Sequence, residues 1–111
     1  MKSVMRFEML TLEGCPHAMV ARDHLLVAAR AEGILATVVE NVVDPLGDAR
    51  LLRFLGSPTI RIGGVDVEPG ADERTEYGFM CRTYAAGDRT SGAPTVEMIR
   101  AAIRVHLERT K

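Results

Sequence analysis

A chain of 111 residues is long enough for one domain and too short for two, and 47% apolar with 26% charged residues is the balance of an ordinary globular protein. Fourteen Lys and Arg stand against 15 Asp and Glu, giving a net charge of −1. With the arginines scattered, this leaves no electrostatic footprint for DNA or RNA, so nucleic acid is not an expected partner.

The N-terminal stretch Met-Lys-Ser-Val-Met-Arg-Phe-Glu is broken by charge every few residues, which predicts neither a signal-peptide core nor a membrane span. Two cysteines in such a chain point to the cytoplasm, where thiols stay reduced and a disulfide is transient. Val4 to Leu12 is apolar apart from Arg6, Glu8 and Thr11 and reads as a strand with a buried face. Gly14-Cys15-Pro16 ends it, with Pro16 suited to a first helical position. From Pro16 to Glu32, Ala18, Ala21, Leu25, Ala28 and Ala29 recur at helical spacing, and Gly33 is a natural stop.

Ile34 to Val43 is rich in β-branched residues and predicts a second strand. Asp44-Pro45 has the form of an N-cap and a first helical position for a short helix ending near Gly56. Thr59–Ile62 and Val65–Glu68 alternate about Gly63-Gly64, a two-residue hairpin signal, because glycine tolerates the positive φ these turns need. Thr95 can cap a last helix whose apolar face holds Ile99, Ala102, Ile103 and Leu107. Residues 69–94 form a long connection within the single domain 1–111, and they carry the second cysteine, Cys81.

The first cysteine, Cys15, is expected where a strand hands over to a helix. Unpartnered N–H groups and the positive end of the macrodipole there favour the thiolate, the form that attacks disulfides. His17 stands two residues on and can add charge or a hydrogen bond. The alternative reading is that Cys15 is a small buried apolar residue. Zinc is not expected, because the two cysteines form no C-x-x-C pair and no paired-His spacing accompanies them. No cofactor is implied.

E-G-C-P-H-A after a strand resembles the active-site turn of thioredoxins and glutaredoxins, and Ser57-Pro58-Thr59 resembles their cis-proline loop. The resemblance implies a thioredoxin-like α/β fold. That is a four-stranded mixed sheet in the order βαβαββα, here with an insertion between the last strand and the last helix. It also implies that Cys15 is the nucleophile, supported by Pro16 and His17, with Ser57, Pro58 and Thr59 beside the substrate. Ala18 stands where the dithiol enzymes have their second cysteine, so Cys15 works alone or is resolved by Cys81. In such a fold the insertion leaves the sheet at the Cys15 end, which makes an encounter between the two thiols feasible; Cys81 packed among Tyr77, Phe79 and Tyr84 is the alternative.

Y-G-F-M-C-R-T-Y is also similar to a segment of small bacterial thioredoxin-like proteins, some of them selenoprotein relatives and others alkylmercury-lyase-like. Arg82 beside Cys81 is a candidate for holding a thiolate or an anionic substrate, with a solvated surface arginine as the alternative. Three functions follow as expectations. The first is thiol redox chemistry on a protein or low-molecular-weight thiol or disulfide substrate. The second is soft-metal or organomercurial handling by the thiol pair, with Asp66, Glu68 or Asp72 as candidate proton donors. The third is a redox-inactive adaptor using an exposed Ser57-Pro58-Thr59 edge.

Overall fold

The computed structural model describes residues 3–110. Strand β1 (Val4–Thr11) is followed by helix α1 (Ala18–Ala31), strand β2 (Leu35–Val42), a single helical turn α2 (Ala49–Leu52) and the hairpin β3 (Thr59–Ile62) and β4 (Val65–Asp66). The connection then holds a 3-10 turn at Ala71–Glu73 and a second hairpin, β5 (Tyr84–Ala86) and β6 (Arg89–Ser91), before helix α3 (Val96–Arg109). The four strands β1 to β4 form one mixed sheet in the order β2-β1-β3-β4, and β5 with β6 forms a separate ribbon.

β1 lies centrally, parallel to β2 from Val4 opposite Leu35 to Thr11 opposite Val42, and antiparallel to β3 with Leu10 opposite Thr59. The end of β1 and the start of β3 therefore share one edge, and the loops before and after them meet there. Alternation along β1 sends Met5, Phe7 and Met9 to one face, where they join Ala21, Leu25 and Ala28 of α1 and Ile99 and Ile103 of α3. Leu10 points to the other face and meets Val43, Ala49 and Phe54. α1 and α3 are also joined by Glu32, which accepts from Arg100 at 2.8 Å and from Arg104 at 2.9 and 3.0 Å. These two guanidinium groups hold the Glu32 carboxyl below its ordinary pKa.

Three local expectations shift. α1 starts at Ala18, two residues after Pro16, because Cys15 and Pro16 belong to a turn closed by Cys15 N–H on the Leu12 carbonyl at 3.1 Å. α2 is capped by Asp48, whose side chain accepts from Arg50 N–H at 2.9 Å. Asp44 instead folds its own turn by accepting from Leu46 N–H at 2.9 Å. β4 ends at Asp66 rather than Glu68. Thr95 caps α3 as expected, its hydroxyl accepting from Met98 N–H at 3.0 Å. Among the described residues no helix is long and apolar enough to cross a membrane.

Candidate functional site

The site is built from three pieces of chain at the shared edge. The first is the turn after β1. Gly14 takes a positive φ of 73°, which glycine adopts without steric penalty, and this lets the chain reverse directly before Cys15. Cys15 is half-buried and Pro16 is exposed. Because α1 begins three residues later, Cys15 stands a turn ahead of the helix rather than on its first residue, and its own N–H is already used. The dipole falls off within the first turn, so its effect on this sulfur is smaller than the sequence suggests.

His17 takes the cap position of α1 without making a side-chain cap bond. Its ring lies flat against Gly92, at the end of the second hairpin. A Cβ built on Gly92 would fall 2.5 Å from both Cγ and Cδ2 of the imidazole. One residue pair therefore fixes the end of the 69–94 connection against the Cys15 turn. Nearby, His24 Nδ1 lies 2.8 Å from the Pro94 carbonyl and ties α1 to the approach to α3.

The second piece is Ser57-Pro58-Thr59, with a cis peptide between Ser57 and Pro58. All three residues are buried, with Ser57 1% and Thr59 0% exposed, so they are not the open partner surface that the adaptor expectation requires. Their polar groups are also committed. Ser57 Oγ accepts from Leu12 N–H at 2.9 Å, and Thr59 Oγ1 donates to the Gly56 carbonyl at 2.7 Å.

The third piece is the segment around Cys81. Ser57 and Cys81 form an isolated parallel β-bridge, in which Ser57 N–H donates to the Met80 carbonyl at 2.8 Å and Arg82 N–H donates to the Ser57 carbonyl at 3.0 Å. Earlier in the segment, Gly78 N–H donates to the Phe54 carbonyl at 3.0 Å, and the rings of Phe54 and Phe79 meet at a centroid distance of 6.2 Å. Cys81 is exposed. Short bonds thus run from the Cys15 amide to Leu12, from Leu12 to Ser57, and from Ser57 to the backbone on both sides of Cys81. Both cysteines are free thiols.

Arg82 has a different position from the one expected. It is 2% exposed and turned inward, away from any substrate at the surface. Nη1 donates to Asp66 Oδ2 at 2.8 Å and Thr59 Oγ1 at 3.0 Å, and Nη2 donates to Asp66 Oδ1 and Glu68 Oε1, each at 2.9 Å. Nε has no hydrogen-bond partner among the described residues. Burial opposes the charge, but the bonds to Asp66 more than offset it, and the guanidinium pKa is raised. The guanidinium carbon sits 4.4 Å from the centre of the Tyr84 ring, and the Tyr84 hydroxyl donates to the Pro58 carbonyl. Burial raises the Tyr84 pKa, with Arg82 pulling the other way.

Asp66 and Glu68 both accept from Arg82, while Asp72 lies against the Asp66 amide at 3.3 and 3.4 Å. Two surface clefts lie away from both cysteines, and Asp66, Glu68 and Asp72 line the first of them. One of about 360 Å³ lies between β3–β4 and α3, lined by Ile62, Val65 and His106 among others, and one of about 450 Å³ lies by β2 and α2, lined by Leu10, Val42 and Leu51 among others. Neither includes a cysteine. Sequence reasoning missed Gly92 and, having named Tyr84 only as a packing neighbour of Cys81, missed its bond to Pro58. The Gly87-Asp88 turn between Tyr-Ala-Ala and Arg-Thr-Ser signals the hairpin that carries Tyr84 and Gly92. Comparison of the chain with protein-family models, with curated proteins and with solved structures gives no match.

Proposed function

We propose that the protein is a cytoplasmic thiol redox protein of thioredoxin-like architecture, with Cys15 as nucleophile and Cys81 as the resolving thiol. The observation that carries this reading is the bridge between Ser57 and Cys81, because the same Ser57 is hydrogen-bonded to Leu12, which closes the Cys15 turn. Two free thiols, one half-buried and one exposed, on segments linked through Ser57, support intramolecular resolution.

In the first step the Cys15 thiolate bonds to one sulfur of a disulfide RSSR′. The S–S bond breaks, and R′S⁻ leaves and takes a proton from solvent. The Cys81 thiolate then attacks the Cys15 sulfur of the mixed disulfide, RS⁻ leaves, and a Cys15–Cys81 disulfide remains. The substrate has gained two electrons and the thiol pair has lost two. A low-molecular-weight thiol in excess returns the pair to the reduced state.

The test replaces Cys15 and Cys81 singly with Ser and follows adducts by intact-mass spectrometry. Cys81→Ser is expected to accumulate a mixed disulfide on Cys15, while Cys15→Ser accumulates no such adduct and shows no turnover. If neither change alters disulfide turnover, the redox reading fails. Stoichiometric binding of Hg(II) lost in both variants, with no turnover in the parent protein, assigns the pair to soft-metal handling instead.

A further inference from the structure

Both backbone groups of Ser57 are already taken by the chain itself, its N–H by Met80 and its C=O by Arg82. Main-chain groups left open beside a reactive residue are what an extended peptide uses when it adds as a strand. Here residues 78–82 run parallel to residues 54–57 and fill that place. The segment is also fastened from below. Arg82 is locked onto Asp66, Glu68 and Thr59, and Tyr84 is bonded to Pro58. Gly56 lets the two stretches approach so closely that a Cβ there would be 3.0 Å from both the Met80 carbonyl oxygen and Arg82 Cβ. A peptide competing for Ser57 would have to lift a buried ion pair out of its site.

What stays accessible at this edge is compact. Cys15 lies half-buried between exposed Gly14 and exposed Pro16, and Cys81 faces solvent beside Phe79 and Met80. A disulfide needs only a line of approach to the Cys15 sulfur to react there, with no main-chain pairing. We infer that residues 78–82 fill the strand-docking edge beside Cys15, so that the protein acts on low-molecular-weight disulfides and excludes extended polypeptide strands. This rests on the thiol redox reading above and names its substrate class.

The test uses the reduced full chain carrying Cys81→Ser, in which the Cys15 adduct is not resolved, with two probes, 2-hydroxyethyl disulfide and a disulfide-bridged dimer of a ten-residue peptide. Adduct formation on Cys15 is followed by mass spectrometry, and free glutathione serves as an unselective attacking thiol. The expected result is a preference for the small probe over the peptide at least about tenfold greater than glutathione shows. A preference equal to that of glutathione, with Cys15 reactive toward both probes, overturns the inference and leaves the redox reading intact. If Cys15 reacts with neither probe, the redox reading fails and takes the substrate class with it. Amide hydrogen exchange then decides the filled edge by itself. Slow exchange at Ser57 and Arg82 that excess peptide does not change supports it, and protection that appears only on adding peptide refutes it.

Discussion

Arg82 grips Asp66 through two parallel hydrogen bonds of 2.8 and 2.9 Å, and both side chains are almost wholly out of water. The pair ties the Cys81 segment to the last strand of the main sheet. Removing Asp66 leaves the buried Arg82 charge with Glu68 as its remaining acidic partner, which is costlier than losing both Asp66 and Arg82. Asp66→Ala is expected to destabilise the protein by about 3–5 kcal/mol, read as the shift of the urea midpoint at constant slope. The double change Asp66→Leu with Arg82→Met should cost less than Asp66→Ala alone. A double variant weaker than the single one would show that the geometry of the pair matters more than its charge.

Gly92 and His17 make a steric prediction. Gly92→Ala puts a methyl group inside the imidazole of His17, so the ring must swing away and lose its packing, at a cost of roughly 1–2 kcal/mol. Truncating the ring first, with His17→Ala, should make Gly92→Ala close to neutral. Denaturant unfolding of the four proteins in this cycle gives the interaction energy, and additive effects would disprove the contact.

Glu32 sets part of the acid limb of stability. Arg104 and Arg100 hold its folded-state pKa below the ordinary 4.5. A carboxyl whose pKa is lower in the folded than in the unfolded chain contributes stability that is present above the unfolded value. This stability is lost as pH falls from about 4.5 through the folded value. Glu32→Gln should cost roughly 1 kcal/mol at pH 7, a figure reduced for the exposure of the arginines. It should also flatten the loss of stability below pH 4.5, measured as the urea midpoint across a pH series.

Tyr84 makes the corresponding prediction at high pH. Burial raises its pKa, so its phenol should stay protonated through the ordinary tyrosine range near pH ~10. The sign is opposite to that of Glu32. Stability from this group is complete below about pH 10 and falls as pH rises toward the folded value. Tyr84→Phe leaves the Pro58 carbonyl without its donor, costs about 1 kcal/mol at neutral pH and removes that alkaline loss. Ultraviolet titration of the folded protein, compared with its unfolding profile, checks both.

The elements that rest on local periodicity are readable from the chain. The alternation of β1, the apolar stripe of α1, the Gly63-Gly64 hairpin and the Thr95 cap of α3 all follow from residues a few positions apart. Boundaries shift where a local signal is used for something else. Pro16 suits a helix start, but Leu12 and Cys15 close a turn first. Asp44 suits an N-cap, but it folds its own turn, and Asp48 caps the helix instead.

The inward turn of Arg82 is not readable, because its partners lie 14, 16 and 23 positions away and only the assembled edge brings them together. An isolated arginine beside a cysteine looks solvated or functional until Asp66 is seen beneath it. Ser57 is a related case. Its neighbours Leu12, Met80 and Arg82 are distant in sequence, and they turn an edge that looks open into one that is filled.

From Cys81 to Ala85 the side chains alternate outward and inward, Cys81, Thr83 and Ala85 to solvent, Arg82 and Tyr84 to the interior. The sulfur is thus held in place by a neighbour facing the opposite way. A fluorophore or spin label coupled to Cys81 would extend into solvent, leave the anchored layer beneath it unperturbed, and sit as a fixed vantage point beside the Cys15 turn.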